Sequence, residues 1–166
     1  ITFANGLRSI VRQDPDIIMV GEIRDTETAQ IAINISLTGH LLLSTLHTNS
    51  ALGAIPRLID MKVDAYLVAS TISLIIAQRL VRKICQDCKG KGCAVCGTLG
   101  YRGRTVIAET ITVDDELRKY IMSQITINDI SRYIRSRGMI TMYEDGMEKV
   151  ERGITSHEEV LRVVHD

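Results

Sequence analysis

Four cysteines fall within one short stretch, as Cys85-x-x-Cys88 and Cys93-x-x-Cys96. Two intervening residues let both sulfurs of a pair face one ion. Four thiolates close a tetrahedral zinc site that is structural, with no open position for catalysis. Glycines at 90, 92 and 97 permit the positive-φ turns that bring backbone N–H groups toward the sulfurs. A redox pair or four free thiols are the plainer alternatives. Clustered cysteines also argue against a disulfide framework, which would scatter them, and so for a reducing compartment.

A second chemistry lies near the start. Ile17-Ile18-Met19-Val20 is a continuous apolar run that delivers Glu22 at its carboxyl end, the edge where open α/β sheets bind ligands. A carboxylate there can orient and deprotonate the water that attacks a γ-phosphate. Gly21 stands where most P-loop ATPases carry Asp, which weakens magnesium contact from this strand. His47 follows a second apolar run, Leu41-Leu42-Leu43, and should emerge at the same edge, where it could donate a hydrogen bond to phosphate. His40 precedes that run, so strand geometry puts it away from the edge. Taken singly, a Glu after a strand also suits a cap or surface ion pair, and either histidine suits a structural role.

These residues need elements to hold them. Ala4 to Gln13 reads as a helix stopped by Asp14-Pro15-Asp16. Ile17–Val20 reads as a strand buried on both faces. A helix follows from Thr26, with a cap in Thr26-Glu27-Thr28-Ala29, and Gly39 ends it. Its apolar positions Ala29, Ile31, Ala32, Ile35 and Leu37 are only loosely periodic. The second strand completes a βαβ unit. Pro56 predicts a kink or restart in the next helical stretch. The apolar run Leu67 to Val81 is too short and too polar to span a bilayer and reads as a buried core helix. The last block looks helical, with starts at Thr112-x-x-Asp115, Thr126-x-x-Asp129 and Ser156-x-x-Glu159.

The chain has 166 residues, with 20 Lys+Arg against 20 Asp+Glu. That balance argues against a nucleic-acid-coating surface, and six aromatics make a base-stacking platform a poor reading. Charge is uneven along the chain: −2 over residues 1–78, +6 over 79–104 and −4 over 105–166. The basic middle holds the cysteines, so it either compensates the thiolates or forms a nucleic-acid-binding zinc ribbon. No secretory signal opens the chain, and its beginning reads as the interior of a longer protein.

Taken together, the stretches Gln13-Asp-Pro-Asp-Ile-Ile-Met-Val-Gly-Glu-Ile-Arg-Asp25 and Thr38-Gly-His-Leu-Leu-Leu-Ser-Thr-Leu-His-Thr-Asn49 resemble the secretion ATPase superfamily. In it the first is an atypical Walker B motif and the second a His box. Ala77-Gln-Arg-Leu-Val-Arg82, Gly100-Tyr-Arg-Gly-Arg104 and Gly153-Ile-Thr-Ser-His-Glu-Glu-Val-Leu161 are similar to it as well. Clustered cysteines favour the GspE/PilB-type branch of type II secretion and type IV pilus assembly. Cys85 to Gly92 also fits one C-x-x-C-x-G-x-G repeat of DnaJ-type chaperones, which carry four.

The resemblance implies an α/β fold. It would be part of a RecA-like P-loop ATPase sheet (1–82), then a four-cysteine zinc module (83–104) and a helical C-terminal subdomain (105–166). Glu22 matches the catalytic glutamate, and His40 and His47 match the His box. Arg24 falls where such motors carry phosphate-facing or intersubunit arginines, as do Arg8 and Arg12; Arg104 matches a position near the nucleotide base. The implied whole is a cytoplasmic homohexamer using ATP and Mg2+, docked on inner-membrane platform proteins. No G-x-x-x-x-G-K-[ST] occurs in the chain, so this piece alone is expected neither to bind ATP tightly nor to hydrolyse it. The gap between the cysteine pairs is shorter than in many members. The alternative is a zinc-dependent interaction or nucleic-acid-binding module without catalysis.

Overall fold

The structure, a computed structural model, describes residues 6, 9–13, 15–123 and 126–164. Of the expected helix Ala4–Gln13, residues 6 and 9–11 are helical and 12–13 form a turn. Residues 4, 5, 7 and 8 of that helix, and Asp14, lie outside the described residues. The chain packs as two units, residues 1–75 with 112–136, and 76–111 with 137–166. This grouping by packing follows other boundaries than the blocks 1–82, 83–104 and 105–166.

In the first unit, strands β1 (Ile17–Val20) and β2 (Leu41–Ser44) pair in parallel, with Ile17 opposite Leu41 and Val20 opposite Ser44. Helix α1 (Thr26–Leu37) joins them. Its cap is Asp25, whose carboxylate accepts from the Thr28 N–H at 2.8 Å and from the Thr28 hydroxyl at 3.1 Å. The expected cap at Thr26 is thus corrected by one residue: an anionic side chain outcompetes a hydroxyl at the positive end of a helix. Helix α1 buries Thr28, Ala29, Ile31, Ala32, Ile33 and Ile35. Burial around most of its circumference explains the loose periodicity.

The expectation of strands buried on both faces does not hold. Ile18 and Val20 are buried, but Ile17 is 60% and Met19 78% exposed, and Leu41 and Leu43 are exposed too. Helix α1 packs on β2 and covers one face of a sheet that, among the described residues, has two strands. Helices α2 (Ala54–Asp60), α3 (Ala65–Thr71), α4 (Asp115–Met122) and α5 (Ile127–Ser136) complete the unit. Pro56 sits in the first turn of α2, where no intrahelical N–H bond is lost, so the expected restart is seen.

The run from Leu67 to Val81 is not one buried helix. Helix α3 ends at Thr71, and strand β3 (Leu74–Ile84) begins after Ser73. The β-branched Thr71, Ile72, Ile75 and Ile76 disfavour helix, and alternation takes over: Ala77 and Val81 are buried while Leu74, Ile76 and Leu80 are exposed. Strand β4 (Tyr101–Thr112) pairs with β3. The Val113 N–H donates to the Ser73 carbonyl at one end and the Cys85 N–H to the Gly100 carbonyl at the other, so the strands run antiparallel. The last block is therefore not helical from residue 105. Thr112 is still strand, and Asp114 caps α4 in its place by accepting from the Leu117 N–H at 2.9 Å. The Thr126 hydroxyl does accept from the Asp129 N–H, as expected.

In the second unit, helix α6 (Met142–Glu151) opens with a capping box between Thr141 and Glu144 that the sequence reading missed. Helix α7 (His157–Val164) is capped by Ser156, whose Oγ accepts from the Glu159 N–H. The Glu159 side chain turns away from this cap and is 1% exposed. It accepts from the Arg82 N–H at 3.0 Å, the Arg82 guanidinium at 2.5 Å and the Arg162 guanidinium at 2.9 and 3.0 Å. These bonds, Arg82's guanidinium foremost, hold its carboxyl far below the usual range. Among the described residues no helix is long and apolar enough to cross a membrane.

Because the folded-state pKa of Glu159 is depressed, its contribution is complete above the unfolded value, near 4.5, and lost as pH falls below it. Glu159→Gln should destabilise the second unit by about 2 kcal/mol at neutral pH, less than a fully buried pair because both guanidinium groups are half-exposed. Urea denaturation at pH 7 and pH 3.5 checks this: the gap between wild type and variant should narrow at the lower pH.

Candidate functional site

The parallel pair carries Glu22 and His47 off the same strand edge. Beyond β1 and β2 two further bonds tie the connections together. The Ile23 N–H donates to the Thr45 carbonyl at 3.0 Å, and the Thr45 hydroxyl donates to the Gly21 carbonyl at 2.7 Å. Between them Glu22 reaches His47: its Oε2 lies 3.1 Å from His47 Nε2. The same oxygen lies 2.6 Å from Arg24 Nε. A carboxylate only accepts, so His47 Nε2 carries the proton in this contact. Arg24 first and His47 second hold the Glu22 carboxyl below its usual range, so it is anionic at neutral pH. A group of lowered basicity is better suited to aligning a water than to removing its proton early.

Sequence reasoning placed Glu22, His47 and Arg24 without linking Arg24 to Glu22. Their i, i+2 spacing on an extended segment was the available signal. It missed Thr45, whose hydroxyl fixes the Gly21 carbonyl next to Glu22. His40 sits before β2, at the opposite end of the strand, with its Nδ1 2.9 Å from the Thr38 hydroxyl. Arg12 is exposed in the turn at residues 12–13, and Arg104 is exposed on β4 in the second unit. Arg8 lies outside the described residues.

The four cysteine sulfurs lie within 4.8 Å of one another. Cys85 and Cys93 sulfurs are 4.0 Å apart, Cys88 and Cys96 3.8 Å, and Cys93 and Cys96 3.8 Å. A Zn–S bond of about 2.3 Å requires tetrahedral S···S edges of about 3.8 Å, so the donor set fits such an ion. Backbone N–H groups point at the sulfurs: Gly92 at Cys88 (3.2 Å), Cys93 at Cys96 (3.2 Å) and Gly100 at Cys96 (3.3 Å). The Cys93 N–H first, and the Gly100 N–H with it, help pull the Cys96 thiol down to about 7. The loop that does this needs left-handed backbone. Gly92 has φ +91°, and a Cβ there would stand 2.6 Å from the Thr98 carbonyl oxygen.

A family model described as type II/IV secretion system protein matches residues 1–162. The chain belongs to that family. It is 49% identical to the type II secretion system protein HxcR of Pseudomonas aeruginosa, over all of this chain and 37% of that protein. It is 46% identical to the type II secretion system ATPase E of Vibrio cholerae, over all of this chain and 38% of that protein. With the type IV pilus assembly ATPase PilB of Thermus thermophilus it shares 44% identity, over 97% of this chain and 21% of the relative. The chain thus spans between a fifth and two fifths of the length of these relatives. The alignment with the Vibrio ATPase runs over 191 positions against 166 residues here, so at least 25 positions are residues this chain lacks.

Among solved structures, the pilus retraction motor PilT with bound ADP superposes with a TM-score of 0.79 at 29% identity, over 99% of this chain and 44% of that one. The Legionella pneumophila ATPase DotB gives 0.77 at 28%, over 99% and 42%. The mixed α/β fold of this secretion-family chain is therefore shared with ATPases, as the resemblance implied.

The cysteine loop yields a graded expectation. Gly97 has φ +60° but nothing within 4 Å of an added Cβ, so Gly97→Ala should cost only the left-handed penalty, about 1 kcal/mol. Gly92→Ala adds a backbone clash and should lower metal affinity further. Competition against a chromophoric chelator orders the two variants; equal affinities would refute the geometric account.

Proposed function

We propose that this chain is part of a motor ATPase that powers type II secretion or type IV pilus assembly, contributing the edge that faces the γ-phosphate. The observation carrying this reading is the convergence of Glu22 and His47 on one edge of two in-register parallel strands, with Arg24 on the same carboxylate oxygen. In this reading Glu22 orients the attacking water. His47 senses phosphate through the N–H it now gives to Glu22, and Arg24 offers a guanidinium to developing negative charge. His40 belongs to the same box but supports it from the far end of β2. Arg8, Arg12 and Arg104 are assigned to nucleotide or intersubunit contacts on the family pattern alone. The phosphate-cradling loop and its lysine come from elsewhere in the longer protein, which supplies ATP and Mg2+ binding.

Residues 1–82 form the ATPase portion in this account, 83–104 a metal module and 105–166 a C-terminal subdomain. Cys85, Cys88, Cys93 and Cys96 hold a structural Zn2+, a reading supported by sulfur separations near the tetrahedral edge. The whole protein works as a cytoplasmic homohexamer at the inner-membrane platform of its machine. A nucleic-acid-binding role for the basic middle block draws no support from Arg82, whose guanidinium is taken up by Glu159.

Extending the protein upstream to its G-x-x-x-x-G-K-[ST] loop should give ATP turnover, while the 166-residue chain alone should give none. Glu22→Gln in the extended protein should lower kcat by about 10²–10⁴-fold. Unchanged turnover in that variant would remove Glu22 from the chemistry. In the same protein, exchange of all four cysteines for serine should abolish zinc retention while sparing nucleotide binding.

A further inference from the structure

A run of contacts leads from the C-terminal helix to the four sulfurs. Arg82 gives Glu159 both its backbone N–H and its guanidinium. Its own carbonyl accepts from the Thr155 hydroxyl at 2.7 Å. Two residues on, the Ile84 N–H donates to the Ile154 carbonyl at 2.8 Å, and the next N–H, of the ligand residue Cys85, donates to Gly100 at 2.9 Å. Gly100 in turn directs its N–H at Cys96 Sγ. Tyr101, the following residue, lies with its ring 4.4 Å beneath the Arg82 guanidinium. Its hydroxyl is 2.7 Å from the Oγ of Ser156, the α7 cap. The sulfur end of β3 is therefore bonded on both edges, to β4 on one side and to residues 154–159 on the other.

We infer that the docking of residues 154–164 and the occupancy of the four-thiolate centre are thermodynamically linked, with Glu159 as the positioning residue that joins them. The inference rests on the metal reading of the cysteines given above. Docked α7 fixes Arg82 and, through it, Tyr101 and the strand ends that carry Cys85 and Gly100. A bound ion fixes the same strand ends from the other side. Linkage of this kind is reciprocal: the factor by which the ion suppresses opening of α7 equals the factor by which undocking α7 weakens ion binding. A helix packed only as a tail has no such factor.

The test is hydrogen exchange in the intact protein, read by mass spectrometry with one equivalent of Zn2+ and again after chelation. Exchange within 157–164 should speed by about tenfold on metal removal, while α1 in the first unit stays unchanged. Chelator competition should show zinc affinity falling by about the same factor in Glu159→Gln. Tyr101→Phe keeps the ring under Arg82 and removes only the hydroxyl contact to Ser156, so it should fold and weaken zinc by a smaller factor. Zinc binding with α7 exchange indifferent to its removal would overturn the linkage and leave the metal centre standing. Wild-type protein that retains no zinc would overturn the metal centre itself, and the linkage with it.

Discussion

The register of two parallel strands is the constraint on which the rest of the first unit depends. Ile17 stands opposite Leu41 and Val20 opposite Ser44, so the chain leaves both strands at one level. Glu22 follows two residues after β1 and His47 three residues after β2, which puts residues 25 apart in sequence within 3.1 Å. A slip of one residue in β1 would turn Ile18 and Val20 to the exposed face and separate the pair. The register is held from beyond the strands as well. The Thr45 hydroxyl on the Gly21 carbonyl and the Ile23 N–H on the Thr45 carbonyl stitch the two connections together beside Glu22 and His47.

The second unit depends on a different constraint, the gathering of four cysteine sulfurs in one loop. Three of the sulfur pairs stand 3.8 to 4.0 Å apart, close to the edge of the tetrahedron that a four-sulfur metal site requires. Three backbone N–H groups face these sulfurs, and the Cys96 thiol is drawn down to about 7. A loop that gathers four sulfurs and turns three N–H groups toward them is suited to holding a metal ion.

Much of this was legible in the sequence because local patterns and tertiary environment agreed. Four apolar residues followed by Gly-Glu, and three more followed by a polar stretch ending in histidine, specify a strand and its exit without reference to neighbours. Paired cysteines specify a site by spacing alone. The misreadings arose where two patterns overlapped. Leu67 to Val81 is apolar enough for one helix, but its β-branched centre ends the helix at Thr71, and the later alternation of Ala77 and Val81 with exposed Ile76 and Leu80 decides for a strand from Leu74. Residues 105–112 were hidden in the same way, because helix-start signals downstream coloured the whole block. Exposure of Ile17 and Met19 could not be read from an apolar run, since a run states what can be buried and not what is there to bury it. Glu159 was read only as the third residue after a cap; its partner Arg82 is 77 residues away, beyond the reach of any local pattern.

Two glutamates in this chain each accept from two nitrogen-bearing side chains, and burial sets them apart. Glu159 is enclosed, and both its oxygens are engaged by Arg82, Arg162 and a backbone N–H. Removing either guanidinium would strand a charge away from water, so this arrangement is suited to staying as it is. Glu22 is open to solvent, and Arg24 and His47 both address a single oxygen. Exposed pairs of this kind are held weakly because water competes for each partner. Arg24 and His47 are therefore held to Glu22 less firmly than Arg82 and Arg162 are to Glu159. The same contacts keep Glu22 ionised at neutral pH. The same local motif, a carboxylate accepting from two side chains, is thus a clamp where the protein closes over it and a loosely held pair where the sheet edge leaves it half-exposed.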